Sequence, residues 1–319
     1  MTIPEAIVQG LGKVVAMTSP SRLTSNKLAL NKLALNNGVQ MERLGYGLYK
    51  VPAKDAEALV ATALGEGYRR FDTAAMYGNE VGVGRALGGA IGDAAAANRG
   101  TGGSGEFVHA LAREDVFVTT KVWNDDQGYD STLRAFDTSM ANLGLDYVDL
   151  YLIHWPCAGR GLFAETYKAM ETLYREGKVR AIGVSNFQPE HLAELMQRAE
   201  VVPAVNQIEL HPWLQQTRLR TLHEQLGIRT EAWSPLGRGQ VLADPAILSL
   251  AEKYRRTPAQ IILRWHLQLG NLVIPKASSA GRIKENFAVF DFELEPADVD
   301  GMAALERHHR TGSHPDNVK

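Results

Sequence analysis

The chain has little of three features that mark other classes of protein: cysteine, net charge and long apolar runs. Its single cysteine, Cys157, permits no internal disulfide and no cysteine-rich zinc site, so a reducing cytoplasm is the expected compartment. A net charge of −2 argues against a nucleic-acid surface, which would need a basic patch or stripe. The apolar runs within residues 1–22 are too short and interrupted to span a membrane or to form a signal peptide. We interpret residues 1–25 as a disordered leader and expect no membrane partner.

A glycine fingerprint for dinucleotide binding is also missing. Gly82, Gly84 and Gly88 come nearest to it, but their final spacing is wrong and no strand stands immediately before them. The phosphates of any dinucleotide would therefore need a different kind of anchor.

The remaining composition is that of an ordinary soluble globular protein, with 45% hydrophobic and 22% charged residues among 319. Eight short apolar runs are typical of strands, and segments with helical spacing lie between most of them. Such alternation implies parallel pairing, and eight units close into a (β/α)₈ TIM barrel more naturally than into an open sheet. The predicted strands cover residues 44–49, 69–72, 116–121, 148–153, 180–184, 204–208, 229–233 and 272–274.

Two segments lie outside this alternation. Residues 26–36 repeat five residues in tandem before Asn37 and Gly38, a strong hairpin signal; we predict a hairpin closing the bottom of the core, in preference to an interaction tail. Residues 92–105 are rich in glycine, and we predict a flexible inserted loop at the N-terminal face of the barrel, away from any active site. Residues 26–319 are thus expected to form one barrel domain.

Four polar residues stand at or just beyond the ends of predicted strands, where barrel enzymes place their active sites: Asp72, Tyr77, Lys121 and His154. A buried Lys121 needs a counter-ion, which Asp72 can supply, although the two could equally form a structural ion pair. The Lys121 ammonium favours tyrosinate, so it should lower the pKa of Tyr77 from about 10 toward the working range of a general acid. His154 taken alone is typical of a core histidine, but beside Tyr77 it can orient a carbonyl oxygen.

The motifs around these residues closely resemble the aldo-keto reductase superfamily, over about nine tenths of the chain. They include F-D-T-A-A-M-Y-G-N-E, L-Y-L-I-H-W-P, A-I-G-V-S-N-F, V-N-Q-I-E-L-H-P, W-S-P-L-G-R-G and I-P-K-A-S-S-A-G-R-I-K-E-N. Within the superfamily, the chain is most similar to bacterial reductases like 2,5-diketo-gluconate reductase. The resemblance implies a catalytic tetrad of Asp72, Tyr77, Lys121 and His154, in which Tyr77 donates the proton while reduced nicotinamide delivers a hydride to a carbonyl carbon.

The resemblance also implies NADPH as the cofactor, lying extended over the barrel. Trp233 would stack on the nicotinamide, and its carboxamide would meet Ser185, Asn186 and Gln207. Two cations, Lys276 and Arg282, would face the ribose 2′-phosphate. Ala277 and Ser279 replace residues that help to bind this phosphate in relatives, so some use of NADH is also expected. The implied cofactor residues are Ser185, Asn186, Gln207, Trp233, Ser234, Leu236, Gly237, Lys276, Ser278, Arg282, Glu285 and Asn286.

An aromatic pocket formed by Tyr49, Trp123 and Trp155 would suit a small aldehyde or ketone. Two alternatives remain: a Schiff-base aldolase acting through Lys121, and a regulatory barrel that binds the cofactor with little turnover. Cys157 near the mouth is either redox-sensitive or an incidental apolar residue. No metal site is expected, because no ligand set surrounds the paired histidines near the C-terminus, and a monomer is the default expectation.

Overall fold

The computed structural model describes residues 31–92 and 111–319, and its first element is an antiparallel hairpin. Strands β1 (Lys32–Ala34) and β2 (Gln40–Glu42) pair with Leu33 opposite Met41. The chain reverses through Asn37 and Gly38, where Gly38 has a φ of 85° that favours glycine. Leu35 and Met41 pack against apolar residues inside the barrel, so the predicted hairpin is confirmed as a plug at its bottom. Residues 26–30 of the repeat and the predicted leader lie outside the described ranges.

Within the described residues, eight parallel strands follow in an unbroken spatial order along the sheet. An isolated parallel bridge between Leu44 and Val273, with a 2.8 Å hydrogen bond from the Gly45 nitrogen to the Val273 oxygen, joins the last strand to the first. The predicted (β/α)₈ barrel is confirmed. Its strands are β3 (Tyr46–Gly47), β4 (Arg70–Asp72), β5 (Phe117–Val122), β6 (Val148–Ile153), β7 (Val179–Ser185), β8 (Val205–Glu209), β9 (Arg229–Trp233) and β10 (Leu272–Val273).

Helices surround the strands, and several begin where the sequence supplies a start signal. Pro258 opens the helix before β10, and Thr257 caps it, since its hydroxyl accepts from the Gln260 nitrogen at 3.3 Å. The sequence pattern does not predict the helices over Pro245–Tyr254 and Pro296–Gly301. The described helices are α1 (Ala53–Gly65), α2 (Glu80–Gly92), α3 (Tyr129–Leu143), α4 (Phe163–Arg175), α5 (Pro189–Met196), α6 (Thr217–Leu226), α7 (Pro245–Tyr254), α8 (Pro258–Gln268), α9 (Ala280–Phe287) and α10 (Pro296–Gly301).

None of the helices in the two described ranges is long and apolar enough to cross a membrane. The predicted inserted loop lies outside those ranges except for Gly92, the last residue of α2. The single domain, the monomer and the cytoplasmic compartment stay predictions.

The inside of the barrel changes from apolar at the bottom to polar at the top. Because successive side chains of a strand point to opposite faces, every second residue enters the interior. On β5 the buried Phe117 belongs to the apolar cluster around the hairpin, while Lys121, four residues later, belongs to the polar end. The same alternation brings Val205 and then Gln207 of β8 to the interior. The strand period thus delivers polar groups together at the C-terminal mouth.

The glycines that imitate a dinucleotide fingerprint have a packing role in α2. A Cβ added to Gly82 would lie 2.9 Å from the Ala56 Cβ of α1, and one added to Gly84 would lie 2.1 Å from the Leu143 carbonyl oxygen. Gly88 faces open space. Two of the three glycines therefore allow close approach of neighbouring chain segments.

This difference predicts opposite effects for two substitutions in one helix. Gly84→Ala is expected to destabilise the protein by at least about 1–3 kcal/mol, because a backbone carbonyl must move. Gly88→Ala is the matched control and should stabilise by roughly 0.5–1 kcal/mol, since alanine restricts the unfolded chain at an exposed helical position. Urea denaturation of both variants measures the difference. Equal stabilities would contradict the packing role of Gly84.

Candidate active site

The structure brings the four predicted catalytic residues together at the C-terminal mouth of the barrel. Asp72 ends β4, Lys121 lies in β5, and His154 follows β6 directly. The Lys121 Nζ donates to Asp72 Oδ1 at 2.6 Å, to the Thr73 carbonyl at 2.9 Å and to the Tyr77 hydroxyl at 3.3 Å. The ring of Tyr77 lies edge-on to that of His154, with centroids 5.5 Å apart. A phenol, an ammonium and a carboxylate therefore form one hydrogen-bonded line.

The turn that carries Tyr77 is held by a buried asparagine that sequence reasoning missed. The Asn79 Nδ2 donates to the carbonyls of Leu48 and Val51 at 3.0 and 3.1 Å, and the Thr73 hydroxyl donates to Asn79 Oδ1 at 2.7 Å. Asn79 thereby ties the turn after β4 to the loop after β3. Its place in the G-N-E motif, two residues after Tyr77, was the available signal.

Burial raises the pKa of Tyr77 to about 12, although Lys121 lowers it as expected. The predicted net lowering is wrong, because desolvation of the phenolate outweighs the nearby ammonium. Burial also opposes the charge on Lys121, yet Asp72 and Tyr77 outweigh that effect and raise the pKa of the ammonium. At neutral pH, Tyr77 is thus a protonated donor beside a charged lysine.

His154 is neutral in the same site. Burial, followed by repulsion from Lys121, holds the pKa of His154 well below its ordinary value of 6.5. Its Nδ1 is buried and receives no hydrogen bond from the described part of the chain. Trp123 packs edge-on against the His154 ring at 5.0 Å between centroids. A neutral imidazole packed between two aromatic rings can orient a polar ligand atom, and it adds no second positive charge next to Lys121.

The predicted nicotinamide platform is held by its own hydrogen bonds. The Trp233 Nε1 donates to Asn186 Oδ1 at 2.8 Å, and Asn186 Nδ2 donates to the His154 carbonyl at 2.9 Å. The Ser185 hydroxyl donates to the Gln207 carbonyl at 2.7 Å. These contacts fix the Trp233 ring beside the four predicted catalytic residues.

One cleft of about 530 Å³ runs from these residues to the segment after β10. Of the predicted substrate residues, Tyr49 and Trp155 border it, whereas Trp123 lies behind His154. Gly237 and Ser278 do not border it; the Ser278 hydroxyl instead accepts a 3.0 Å hydrogen bond from the Arg282 guanidinium. The predicted cofactor residues that line the cleft are Ser185, Asn186, Gln207, Trp233, Ser234, Leu236, Lys276, Arg282, Glu285 and Asn286.

A C-terminal segment that sequence reasoning missed completes the cleft. The buried carboxylate of Glu209 accepts from the Thr311 nitrogen and hydroxyl at 2.6 Å each and from the Gly312 nitrogen at 3.2 Å. Gly312 then lies so close to Trp233 that an added Cβ would be 2.4 Å from the indole ring. Ser313 borders the cleft itself. No local pattern signals these contacts, because Glu209 and Thr311 are 102 residues apart.

Cys157 is fully buried, and burial raises the pKa of its thiol to about 11. A protonated, covered thiol is a poor nucleophile. The apolar interpretation of Cys157 is therefore favoured over redox sensing.

The sequence profile described as the Aldo/keto reductase family matches residues 41–307. The chain belongs to this family. An aldo-keto reductase of Mycolicibacterium smegmatis is 51% identical over 280 residues, which cover 88% of this chain and 95% of the relative. A glyoxal reductase of Bacillus subtilis is 47% identical over 284 residues, covering 89% and 95%. The crystal structure of a Gox0644 variant in complex with NADPH aligns with a TM-score of 0.80 at 43% identity, covering 90% of this chain and 98% of that one.

Membership of the aldo/keto reductase family confirms the predicted class of oxidoreductase. The narrower resemblance to 2,5-diketo-gluconate reductases stays a prediction. The family match ends at residue 307, so residues 311–313, which reach Trp233 and the cleft, lie beyond it.

Proposed function

We propose that this aldo/keto reductase reduces small aldehydes or ketones to alcohols with NADPH. The observation that carries the proposal is the single cleft that joins the Tyr77 hydroxyl to the Lys276 and Arg282 cations. A proton donor at one end and phosphate-binding cations at the other suit a dinucleotide that places its reactive ring beside a carbonyl. The relatives support this choice, since one is named a glyoxal reductase and another was solved with NADPH.

The residues of the cleft fit this cofactor. Trp233 offers a flat face, and Gln207 borders the cleft beside it. Lys276 and Arg282 supply positive charge, and the hydroxyls of Ser278 and Ser279 orient the Arg282 guanidinium at 3.0 and 3.2 Å. When bound, NADPH supplies the hydride that the carbonyl carbon receives. Ala277 contributes no side-chain hydroxyl, so the predicted residual use of NADH is kept within the proposal.

In the proposed mechanism, Tyr77 donates its proton to the carbonyl oxygen. Lys121 stabilises the resulting phenolate through its 3.3 Å contact, and Asp72 holds Lys121 at 2.6 Å. His154 orients the oxygen as a neutral donor. The carbonyl carbon gains a hydride, its oxygen gains the proton, and Tyr77 is reprotonated from solvent. Tyr49 and Trp155 wall the pocket around the substrate.

The aldolase alternative is disfavoured by the surroundings of Lys121. A Schiff base needs a neutral amine, but three acceptors hold this ammonium and its pKa is raised. Loss of NADPH absorbance with a panel of small carbonyls, glyoxal included, tests reduction against the low-turnover regulatory barrel. We expect oxidation of NADPH that requires a carbonyl; none with any member of the panel would overturn the proposal.

The pH dependence of reduction follows from the two perturbed groups. Tyr77 must be protonated to donate, and its pKa of about 12 keeps it so, while the lowered pKa of His154 keeps that ring neutral. We therefore expect kcat/KM to be flat from about pH 6 to about pH 9. Initial rates at constant ionic strength measure it. A rise or fall of kcat/KM centred near pH 6.5, the ordinary pKa of histidine, would contradict the neutral state of His154.

The preference for NADPH depends on charge at the far end of the cleft. Arg282→Met is expected to raise KM for NADPH about three- to tenfold and to leave KM for NADH almost unchanged, because only NADPH carries the 2′-phosphate. Lys284→Met is the matched control, since Lys284 is exposed on α9 but does not border the cleft. Equal effects of Arg282→Met on both cofactors would rule out a contact with the phosphate.

A further inference from the structure

Beneath the site, charged and polar side chains cross the barrel interior in one connected line. Arg70 of β4 forms an ion pair with Glu231 of β9. The Gln207 Nε2 donates to Glu231 Oε2 and to Asp72 Oδ2, at 2.7 Å in each case, and Asp72 holds Lys121. Each of these five residues is at most 2% exposed. Neither Arg70 nor Glu231 is among the predicted site residues.

The two carboxylates determine which way the Gln207 amide points. Ionised carboxylates only accept hydrogen bonds, so the Nε2 must face Asp72 and Glu231, and the Oε1 must point away from them. Gln207 borders the cleft, and no group in the described ranges donates to its Oε1. The reversed amide would set its oxygen against two negative charges. The Gln207 side chain therefore offers the cleft an acceptor and no donor.

Arg70 is built into the barrel as the partner of Glu231. Its Nη2 also donates to the Val273 carbonyl at 2.7 Å and to the Arg43 carbonyl at 3.2 Å, next to the closure of the barrel. Gly45 makes room for it, since an added Cβ would lie 2.5 Å from the Arg70 Nε. Burial raises the pKa of Glu231 and Arg70 opposes that rise. Arg70 thus favours the ionised carboxylate that orients Gln207.

We infer that Glu231, supported by Arg70, is a positioning residue: it sets Gln207, which the family resemblance places at the nicotinamide carboxamide, to accept an N–H from that group. The inference rests on the proposed NADPH-dependent reduction and adds two residues to it. Glu231 acts through Gln207 and does not border the cleft. A purely structural ion pair would also fill this space, and removing it would then affect all ligands alike.

The test compares NADPH with its reduced 3-acetylpyridine analogue, which keeps the ring carbonyl but has a methyl group in place of the amide –NH₂. Dissociation constants are measured by quenching of tryptophan fluorescence without substrate, so the readout is binding. Wild type should bind NADPH about tenfold more tightly than the analogue, which lacks the N–H donor. Arg70→Met combined with Glu231→Leu removes both charges together and should retain the fold.

The double variant leaves Asp72 as the one carboxylate that accepts from Gln207. Affinity for NADPH should therefore fall about threefold while affinity for the analogue stays unchanged, so the discrimination shrinks without disappearing. Arg70→Lys keeps a cation beside Glu231 and should retain the discrimination between the two ligands. Glu231→Gln keeps the shape of the side chain and should also reduce the discrimination between the two ligands. Arg70 attracts the amide oxygen of the introduced glutamine, so its –NH₂ group faces the Gln207 Nε2. Discrimination that stays at the wild-type level in both Glu231 variants, or affinity lost equally for both ligands, would overturn the inference.

Failure of the inference can be told from failure of the proposed function. A wild-type protein that binds neither reduced dinucleotide and oxidises no NADPH with any carbonyl contradicts the proposed function itself. A wild-type protein that turns over NADPH but binds both ligands equally contradicts the role of the Gln207 acceptor alone.

Discussion

Tyr77→Phe is expected to lower kcat/KM for carbonyl reduction by about 10²- to 10⁴-fold while leaving the binding of NADPH nearly unchanged. The substitution removes one oxygen and keeps the ring that packs against Tyr49 and His154 at 5.2 and 5.5 Å between centroids. Within the proposed mechanism, no other described side chain presents both a proton and the Lys121 contact to the carbonyl oxygen. Steady-state rates and fluorescence titration with NADPH separate the two effects.

Tyr147→Phe provides the matched control for this loss of a hydroxyl. Tyr147 immediately precedes β6 and packs against Arg113 at the opposite end of the barrel. Its substitution should leave kcat/KM unchanged. Reduction at the wild-type rate by Tyr77→Phe would contradict the assignment of Tyr77 as general acid. Equal losses from both variants would point to a general effect on folding.

Lys121→Met is expected to cost both stability and rate. It leaves the buried Asp72 carboxylate without its cation, and breaking a buried pair in this way typically costs about 3–5 kcal/mol of unfolding free energy. It also removes the group that stabilises the Tyr77 phenolate, so kcat/KM should fall by at least about 10²-fold. Urea denaturation and steady-state kinetics measure the two losses separately.

The double variant Asp72→Asn with Lys121→Met separates stability from chemistry. Removing both charges relieves the unpaired carboxylate, so unfolding free energy should recover by roughly half or more. The rate should not recover, because the phenolate of Tyr77 still lacks its ammonium. A double variant that regains both stability and rate would show that the pair acts through folding alone.

Much of the geometry of the candidate site could be predicted because strand position determines it. A residue that ends a barrel strand lies at the C-terminal mouth whatever helix follows, so Asp72, Lys121 and His154 could be placed from their apolar runs alone. Tyr77 could be assigned to the same site because the loop that carries it after the strand is short. The cations at Lys276 and Arg282 came from the family resemblance, and they stand at the far end of the same cleft.

The direction of the Tyr77 pKa shift could not be predicted in this way. Sequence shows that a lysine is near, but the balance between its field and the loss of hydration depends on how completely the phenol is covered. The same limitation applies to Trp123, Gly237 and Ser278, which have the expected neighbours but do not border the cleft. Distances of a few ångströms separate a ligand contact from a supporting one.

The sequence by itself determined the barrel, its hairpin plug and the meeting of Asp72, Lys121 and His154. The spacing of apolar residues identifies each strand locally, and the order of the strands follows from their order along the chain. Only the tertiary structure decided which residues from distant parts of the sequence contact that site and change its properties. The net rise in the pKa of Tyr77, the Glu209 contacts that bring Gly312 to Trp233, and the Arg70–Glu231 pair beneath Gln207 all join residues distant in sequence. Burial and hydrogen-bond direction, which control these effects, exist only once the chain has closed on itself.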